Sequence, residues 1–404
     1  MSHSKTVRVK VTALGIKRQK RSLGYSTTTV GGKDFTEART TNIGNALSGK
    51  IAGVSVSGNA TGPGGSSRVV IRGNASLTGN NQPLYVIDGV PFDNTNIGSA
   101  GQGGGKDMGD GLSSINPDDI ADIQVLKGAA ASALYGYRGG NGAILITTKS
   151  GQEGKVQVNF GASYGLRKVT KMVDVLNPYE FVMWQQELDQ KSFNYGTFDD
   201  LEIYKSYTDT DYQGEIFGRT GNQQQYNISV SGGSKDTKFN ISYSRNDEKS
   251  IMLNSGFAKD NINAKINTKI NKWLTFDFNA RLSYQKVKGT GSGADDNQSS
   301  ATTSVNARSV VFAPVEKLIS GGSDDDENVN NARYTPIEIL NATYKRVSRF
   351  QQNYNAGVNW EPVKGLKFRS EFGYGWKYNN TDQVWGVEAT NNSKYGNPGM
   401  PQAL

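Results

Sequence analysis

The sequence predicts a mainly β protein, in which a small αβ domain is followed by a run of long antiparallel strands. Apolar residues make up only 35% of the 404 residues, whereas glycine contributes 49 and tyrosine 19. This composition suits strands that bury one face and are linked by many turns. Beyond residue 154 apolar and polar residues alternate strictly, which is the period of a strand.

The composition also excludes several kinds of catalytic site, metal site and covalent cross-link. The chain has no cysteine, and His3 is its only histidine. Disulfide frameworks, zinc–thiolate centres, histidine metal sites and Ser-His-Asp catalysis are therefore excluded. We identify no set of acid, base and nucleophile in the sequence, so we expect no catalytic residues, no metal and no cofactor, and we do not expect an enzyme.

The net charge is +8, from 45 Lys and Arg against 37 Asp and Glu. The basic residues are scattered, and the one dense group comprises Lys17, Arg18, Lys20 and Arg21. We interpret that group as a solvated segment and expect no nucleic-acid partner. No apolar run of about 18 residues predicts a membrane helix. The first five residues lack the apolar core of a secretory signal.

The first part of the chain predicts a small αβ domain. Short apolar runs read as buried strands at 69–71, 84–87, 123–126 and 143–146. A helix is predicted over 41–51, because Ile43, Leu47 and Ile51 have helical spacing. A second helix is predicted to start at Asn116, which caps it ahead of a proline and two acids. The alanines of 129–135 predict a third helical segment.

The second part predicts about seven strands, several of them longer than is usual in soluble sheets. Short turns join them in pairs, and two long polar excursions cover 177–225 and 286–341, the first with a predicted helix over 178–190. The strands are predicted over residues 156–165, 226–231, 239–243, 262–270, 274–284, 354–360 and 366–376.

A soluble β-sandwich shows the same alternation, so the period leaves two architectures open. Strand length, short turns that alternate with long excursions, and aromatic residues near strand ends favour a transmembrane barrel. On that interpretation the long loops are extracellular and the short turns face the periplasm. The aromatic residues concerned are Tyr164, Tyr243, Tyr284, Trp360 and Trp376.

Three stretches of the first part resemble the plug domain of the SusC/RagA family of TonB-dependent outer-membrane transporters. They are ALSGKIAGV at 46–54, RVVIRG through PLYVIDGVP at 68–91, and a long run at 114–151. The long run includes SINPDDI, VLKGAAASALYG and RGGNGAILITTKSG, and TALGIKR at 12–18 resembles the entry to the plug. The resemblance is strong over about residues 9–151 and extends to the remainder only in style.

The resemblance implies a plug inside a barrel of roughly 22 strands, of which this chain would be a fragment with the first strands of an incomplete barrel. It implies import of a large nutrient, an oligosaccharide or a peptide, across the cell outer membrane. The implied partners are TonB, a SusD-like surface lipoprotein and outer-membrane lipid. We expect an N-terminal segment at 1–22, the plug at 23–151 and the first part of the barrel at 152–404.

The resemblance also places candidate site residues. The TonB-contacting segment would include Val7, Val9, Val11 and Thr12, a degenerate TonB box because Arg8 and Lys10 stand where the family has acidic and apolar residues. TonB binds such a segment by strand addition, through backbone hydrogen bonds. We expect the plug motifs to hold the plug together rather than touch substrate; they comprise Arg72, Gly73, Asp88, Gly89, Lys127, Gly128, Tyr135, Gly136, Arg138, Gly139, Asn141 and Gly142.

Other patterns have simpler interpretations. The Gly-rich stretch 101–105 lacks the following Gly-Lys-Ser/Thr of a phosphate loop, and the acidic run 324–327 lacks the spacing of a calcium loop. Two functions remain open. One is transport through a plugged barrel. The other is a non-transporting protein, in which a plug-like module serves binding, signalling or adhesion.

Overall fold

The fold was analysed in a computed structural model of the 404-residue chain. The structure describes residues 9–11, 17–19, 27–32, 34, 42–58, 65–75, 77, 81–94, 110–188, 198–289, 309–315, 335–386 and 402–403. No helix in these ranges is both long enough and apolar enough to cross a membrane.

The elements between residues 27 and 148 form an αβ unit. It comprises strands β3 to β9 and helices α1 and α2. Its main sheet has five strands in the order β3-β8-β9-β6-β7, in which only β6 and β9 run parallel. Strands β4 and β5 form a separate pair. The bounds are β3 Thr27–Gly31, α1 Ile43–Ala46, β4 Val54–Gly58, β5 Ser67–Ile71, β6 Leu84–Ile87, β7 Val90–Phe92, β8 Ile120–Leu126, α2 Ala129–Tyr135 and β9 Ala143–Thr148.

Both faces of the five-stranded sheet are covered. On one face Tyr85, Ile87 and Ile144 pack in a cluster with Ile43 and Leu47 of the α1 region. On the other face alternate residues of the same strands form a second cluster with helix α2, namely Leu84, Val86, Leu126, Ala131, Ala143 and Leu145. Because β6 and β9 are buried on both sides, they are continuous apolar runs rather than alternating ones.

The rest of the chain is dominated by a large sheet, the name used here for β10 to β17. Its eight strands pair antiparallel in sequence order. Among the described residues β10 and β17 do not pair with each other, so the sheet is open. The bounds are β10 Gly154–Arg167, β11 Gly221–Gly233, β12 Thr237–Lys249, β13 Gly256–Asn271, β14 Leu274–Lys288, β15 Thr343–Val363, β16 Leu366–Trp385 and β17 Gln402–Ala403.

The large sheet is the reverse of a soluble one, because its polar face is buried and its apolar face is exposed. On β12, Ser242 is 2% exposed while its neighbour Ile241 is 47% exposed. On β13, Asn263 is 3% exposed and Ile262 is 45% exposed. The polar face lies against the αβ unit. We call it the inner face, and the apolar face the outer face.

The described parts of the long connections include the α-helices α3 Pro178–Leu188, α4 Tyr212–Phe217 and α5 Pro336–Ala342, and the 3-10 helix Phe198–Ser206. Helix α5 begins with a capping box between Thr335 and Glu338, which satisfies backbone donors at its first turn. An N-terminal pair of strands, β1 Val9–Val11 and β2 Lys17–Gln19, forms a hairpin of its own.

Several predicted elements need correction. The helix predicted over 41–51 spans only Ile43–Ala46 and then tightens into turns, because Gly49 takes a positive φ of 72°. Its three apolar residues are nevertheless all buried. The helix predicted at Asn116 is a single 3-10 turn, Pro117–Asp119, which leads directly into β8. Strands β15 and β16 are longer than predicted. Their additional paired residues include the exposed ion pair Arg346–Asp382, which interrupts the apolar pattern on the outer face.

Candidate functional site

The candidate site is the contact between the αβ unit and the inner face of the large sheet. Its central residue, Asp88, lies in the two-residue turn between β6 and β7. Asp88 and Gly89 have φ values of 51° and 94°, as a type I′ hairpin turn requires. Asp tolerates the left-handed region better than most residues because its short side chain is compact and polar. The turn therefore presents a carboxylate at the tip of the hairpin.

The Asp88 carboxylate binds groups from both parts of the molecule. Within the αβ unit it accepts hydrogen bonds from the backbone N–H of Thr148 at 3.0 Å and from the Thr148 hydroxyl at 2.7 Å. From the large sheet it receives Lys265 Nζ at 2.9 Å, Asn279 Nδ2 at 2.7 Å and Arg281 Nη1 at 3.2 Å. Five donors thus converge on one carboxylate, which is only 10% exposed.

The electrostatics of this cluster favour the ionised carboxylate. Burial alone would raise the pKa of Asp88, but the ammonium of Lys265, the guanidinium of Arg281 and the Thr148 N–H lower it, and the net result is a pKa below the usual value. Lys265 also donates to the Thr148 hydroxyl at 3.1 Å. Because all the charges are paired and hydrogen-bonded, the cluster can remain ionised although it is buried.

A second contact joins β13 to a 3-10 turn of the αβ unit, Gly111–Ser114. Lys259 is 3% exposed, and its Nζ donates to the carbonyl oxygens of Ser113 at 2.9 Å and of Ile115 at 3.3 Å. At the other end of the turn, Asp110 accepts from the Ser113 N–H at 3.0 Å. Burial raises the pKa of Asp110, against the opposing effect of its hydrogen bonds. A cation thus caps the carbonyl end of the turn and an acid its amide end.

A third contact involves Asp119, the last residue of the Asn116 turn. Its carboxylate accepts a 2.5 Å hydrogen bond from the hydroxyl of Ser242 on β12. Asp119 is 7% exposed, and burial raises its pKa to about 6. In contrast to Asp88, this acid has a hydroxyl rather than a cation within hydrogen-bonding distance, so the effect of burial is not fully offset and ionisation is less favourable than for an exposed acid.

At the edge of the contact, β16 meets the αβ unit through one described ion pair and one tight packing contact. Lys377 on β16 bonds to the Asp93 carboxylate at 2.8 Å. A Cβ atom on Gly373 would lie 2.6 Å from Val90, so only glycine lets β16 approach the β6–β7 hairpin this closely. Strands β12, β13, β14 and β16 therefore all touch the αβ unit.

Most of the predicted plug motifs lie within the αβ unit. Lys127 donates to the Ala52 carbonyl oxygen at 2.6 Å, a bond within the αβ unit. Gly128 and Gly136 have positive φ and flank α2 at its two ends. Tyr135 is the last residue of α2. The remaining motif residues directly follow β5 or lie between α2 and β9; they are Arg72, Gly73, Arg138, Gly139, Asn141 and Gly142. Of the predicted motif residues, Asp88 is the one whose side chain has described bonds to the large sheet.

Among the residues predicted to contact TonB, Val9 and Val11 belong to β1, which pairs with β2. Val7 and Thr12 lie outside the described residues, as do the Gly-rich stretch 101–105 and the acidic run 324–327. Their predicted roles stay predictions.

Sequence reasoning did not single out the sheet residues that hold the αβ unit: Ser242, Lys259, Lys265, Asn279, Arg281 and Lys377. A signal was present, because these residues occupy the polar positions of alternating strands. A charged residue that recurs at these polar positions therefore lies on the inner face of the large sheet. The sequence does not say which residue of the αβ unit lies opposite.

Comparison with known proteins agrees with this geometry. Residues 19–143 match the family described as the TonB-dependent Receptor Plug Domain. Over 267 residues the chain is 36% identical to the TonB-dependent receptor SusC of Bacteroides thetaiotaomicron, an alignment that covers 65% of this chain and 24% of that protein. The αβ unit thus matches the plug domain of TonB-dependent receptors, and the chain is similar to receptors of the SusC type. The αβ unit is accordingly called the plug below.

Other relatives and solved structures extend the comparison beyond the plug. The TonB-dependent receptor P3 of Formosa agariphila is 28% identical over 88% of this chain and 33% of its own length. The RagAB peptide importer in its open-open state superimposes with a TM-score of 0.76 over 98% of this chain and 45% of that chain, at 20% identity. The siderophore receptor PirA of Acinetobacter baumannii shares the fold at a TM-score of 0.51 and 16% identity. The chain spans about a quarter to a third of the length of these curated relatives.

Proposed function

We propose that this chain forms the plug and the first barrel strands of an outer-membrane receptor. The receptor imports a large nutrient, an oligosaccharide or a peptide, with energy from TonB. The observation that carries the proposal is the reversed polarity of the large sheet. Its apolar outer face suits lipid, and its polar inner face binds a folded plug through buried ion pairs. A protein that only binds or signals in water would not need an exposed apolar wall.

The outer face has the chemistry of a surface in a bilayer. Transmembrane strands need about 9–11 residues, and β11 to β16 have between 13 and 21. Aromatic residues gather on this face, with Trp360 stacked on Phe368 at 5.3 Å and Trp376 on Tyr378 at 6.1 Å. Aromatic side chains favour the membrane–water interface, where one end is apolar and the other is hydrated.

The plug contact suits a plug that must be held and then displaced. Its bonds are charged and polar, so groups that separate can be solvated by water. The net cost is about 0.5–1.5 kcal/mol per neutral hydrogen bond and about 1.5–3 kcal/mol where one group is charged. An apolar contact would instead expose surface that aggregates when it opens. We propose that the Asp88 cluster keeps the plug closed at rest and that an applied force breaks it.

The force would be applied at the N-terminal segment. Strand β1 pairs with β2 along one edge, and strand addition by TonB would use the backbone of the other edge or replace β2. We propose that Val7, Val9, Val11 and Thr12 contact TonB, within an N-terminal segment of residues 1–22. We place the plug at 23–151 and the barrel strands from 152 onward.

The partner and the substrate follow from the relatives. One relative is named SusC and a solved structure is named a peptide importer with two components, RagAB. We propose a SusD-like lipoprotein as the extracellular partner and a glycan or a peptide as the substrate.

The test is uptake by cells that express the receptor bearing this sequence in their outer membrane. The probes are fluorescently labelled oligosaccharides and oligopeptides, each assayed with and without TonB. Accumulation of at least one probe only when TonB is present would support the proposal. Equal accumulation with and without TonB, or binding of probes with no accumulation, would contradict it and favour a non-transporting receptor.

A further inference from the structure

The plug does not cover the inner face of the large sheet evenly. On β12 the inner-face residues Asn240 and Ser242 are 4% and 2% exposed. On β10 the equivalent positions, Gln157 and Asn159, are exposed. The plug is therefore seated against β12 to β16 and stands away from β10 and β11.

The space that remains is a cavity of about 650 Å³ between the plug and the inner faces of β10 to β12. The plug contributes residues from the Asn116 turn and from the end of β9, including Asp118 and Lys149. The cavity extends from the β11–β12 turn to the level of Gly161 and Asn227, which pair across β10 and β11. Its volume lies within the range of small-molecule binding clefts, roughly 300–1,000 Å³.

Apart from Lys155 on β10, the strand side of this cavity is uncharged and rich in hydrogen-bonding groups. Its side chains are amides and hydroxyls, contributed by Gln157, Asn159, Asn227, Ser229, Ser231 and Asn240. The Oδ1 atom of Asn227 is buried and has no hydrogen-bond partner within the part of the chain that the structure describes. A buried amide oxygen without a partner is destabilising, so water or a solute group is expected to bind it.

The charges around this cavity balance. Asp118 and Glu153 are acidic, and Lys149 and Lys155 are basic. The lining therefore selects neither anions nor cations. Hydroxyl and amide groups instead match sugar hydroxyls and peptide groups, whose bonds to water they can replace at small net cost.

We propose that this cavity is the exit path of the substrate, a hydrated channel for uncharged, hydroxyl- or amide-rich solutes between the plug and β10 to β12. The inference rests on the proposed transport function. It places the path where the plug makes the fewest contacts, beside strands that the bonds of Asp88 to β13 and β14 do not reach. The cavity lies at the end of the sheet with the short turns, which is the periplasmic end in the proposed orientation.

Accessibility tests the path without any need for transport. The chain has no cysteine, so an introduced cysteine is unique within it. In the full receptor in permeabilised cells, Ser229→Cys and Ser231→Cys are expected to react with a hydrophilic maleimide at least about tenfold faster than Ser242→Cys, which lies under the plug. A smaller ratio would overturn the proposal, because it would mean that the space is closed or that the plug does not cover β12.

Uptake tests the role of the same space. Ser229→Trp fills the cavity, and Val230→Trp places the same side chain on the outer face of the same strand. We expect Ser229→Trp to lower uptake of a labelled oligosaccharide or peptide by about tenfold or more, and Val230→Trp to retain it. Equal uptake by the two variants would overturn the path. If the unaltered receptor takes up no probe, the proposed transport function fails, and the maleimide ratio still decides whether the hydrated cavity exists.

Discussion

The Asp88 carboxylate and the Lys265 ammonium lie 2.9 Å apart although 177 positions separate them in the chain. Asp88 belongs to a tight turn of the plug, and Lys265 belongs to a strand of the surrounding wall. The bond therefore joins two parts of the molecule with separate hydrophobic clusters. Its strength bears directly on how firmly the plug is held.

Removing the charge of Asp88 should loosen the plug. In Asp88→Asn the side chain keeps its size and the turn keeps a residue that tolerates positive φ, but Lys265 and Arg281 lose their anion. Breaking a buried ion pair at one partner costs about 3–5 kcal/mol. We expect the plug to become cleavable by protease at a lower urea concentration. Asp236→Asn, in the exposed β11–β12 turn, is the matched control and should match the wild type; an equal shift in both variants would contradict the prediction.

The pair should also be coupled energetically. A double-mutant cycle with Asp88→Asn and Lys265→Met is expected to give an interaction energy within about 0.5–3 kcal/mol, measured from urea unfolding of the plug. The comparison pair is Glu361–Lys367, which is 3.5 Å apart and largely exposed. Its cycle, with Glu361→Gln and Lys367→Met, should give a smaller interaction energy because solvent screens the charges. Additive effects at Asp88 and Lys265 would show that the contact does not hold the plug.

The stability of the plug should depend on the protonation of Asp119. Its pKa is about 6 in the folded protein and about 3.9 in an unfolded chain. Between these values the folded state binds more protons than the unfolded state, so this acid's contribution to the free energy of unfolding rises as the pH falls from above 6 to about 4. The lowered pKa of Asp88 acts in the opposite sense, and its contribution is lost only at lower pH.

The measurement is the free energy of unfolding at pH 7.5 and pH 4.5, for the wild type and for Asp119→Asn. The difference between the two proteins isolates Asp119 from Asp110, whose pKa is also raised. We expect this difference to change by on the order of 2 kcal/mol across the range. A constant difference would show that Asp119 titrates normally.

Gly142 should not tolerate a side chain. Its φ is 91°, and a Cβ atom would lie 2.8 Å from Ile71 Cδ1 and 2.9 Å from the Leu126 carbonyl oxygen. Gly142→Ala is expected to destabilise the plug by about 2 kcal/mol or more, from backbone strain and overpacking together. Gly165→Ala is the control, because a Cβ atom there would meet nothing within 4 Å. The measurement is the melting temperature of each variant. Equal melting temperatures for Gly142→Ala and Gly165→Ala would contradict the prediction.

The outer face should reject a charge that the inner face accepts. Val158 and Asn159 are neighbours on β10 and point to opposite faces. A lysine on the lipid side of a barrel costs up to about 2–4 kcal/mol at the centre of the bilayer and less towards its surface. We expect Val158→Lys to reduce the heat-modifiable, membrane-inserted fraction of the receptor, and Asn159→Lys to leave it unchanged. Equal insertion of the two variants would contradict the assignment of Val158 to lipid.

Elements that depend on neighbouring residues could be predicted well. The alanine-rich helix was expected at 129–135 and spans Ala129–Tyr135. The turn between β11 and β12 also occurs where Gly and polar residues interrupt the alternation. These features are local, since a few residues of sequence contain their helix propensity and turn chemistry. The ends of β15 and β16 were missed because cross-strand pairing, rather than their own composition, extends them.

Of the candidate site, the sequence predicted the residues of the plug but not their partners on the large sheet. The motifs that contain Asp88 and Asp119 were recognised in the sequence, although the segment at Asn116 was predicted to start a helix and forms a single 3-10 turn. Their partners were not, because Lys265, Arg281 and Ser242 resemble many other polar residues in alternating strands.

The sequence by itself determined which residues of each strand share a face, because successive side chains of a strand point to opposite sides. Its motifs also carried the resemblance to the plug of TonB-dependent receptors, because the residues that make up each motif are close together in the chain. Only the tertiary structure decided that the polar face is the buried one and that Asp88 meets Lys265 and Arg281 while Asp119 meets a hydroxyl. These pairings depend on the register of distant strands and on where the plug is seated against them, and the period of a strand carries no information about either.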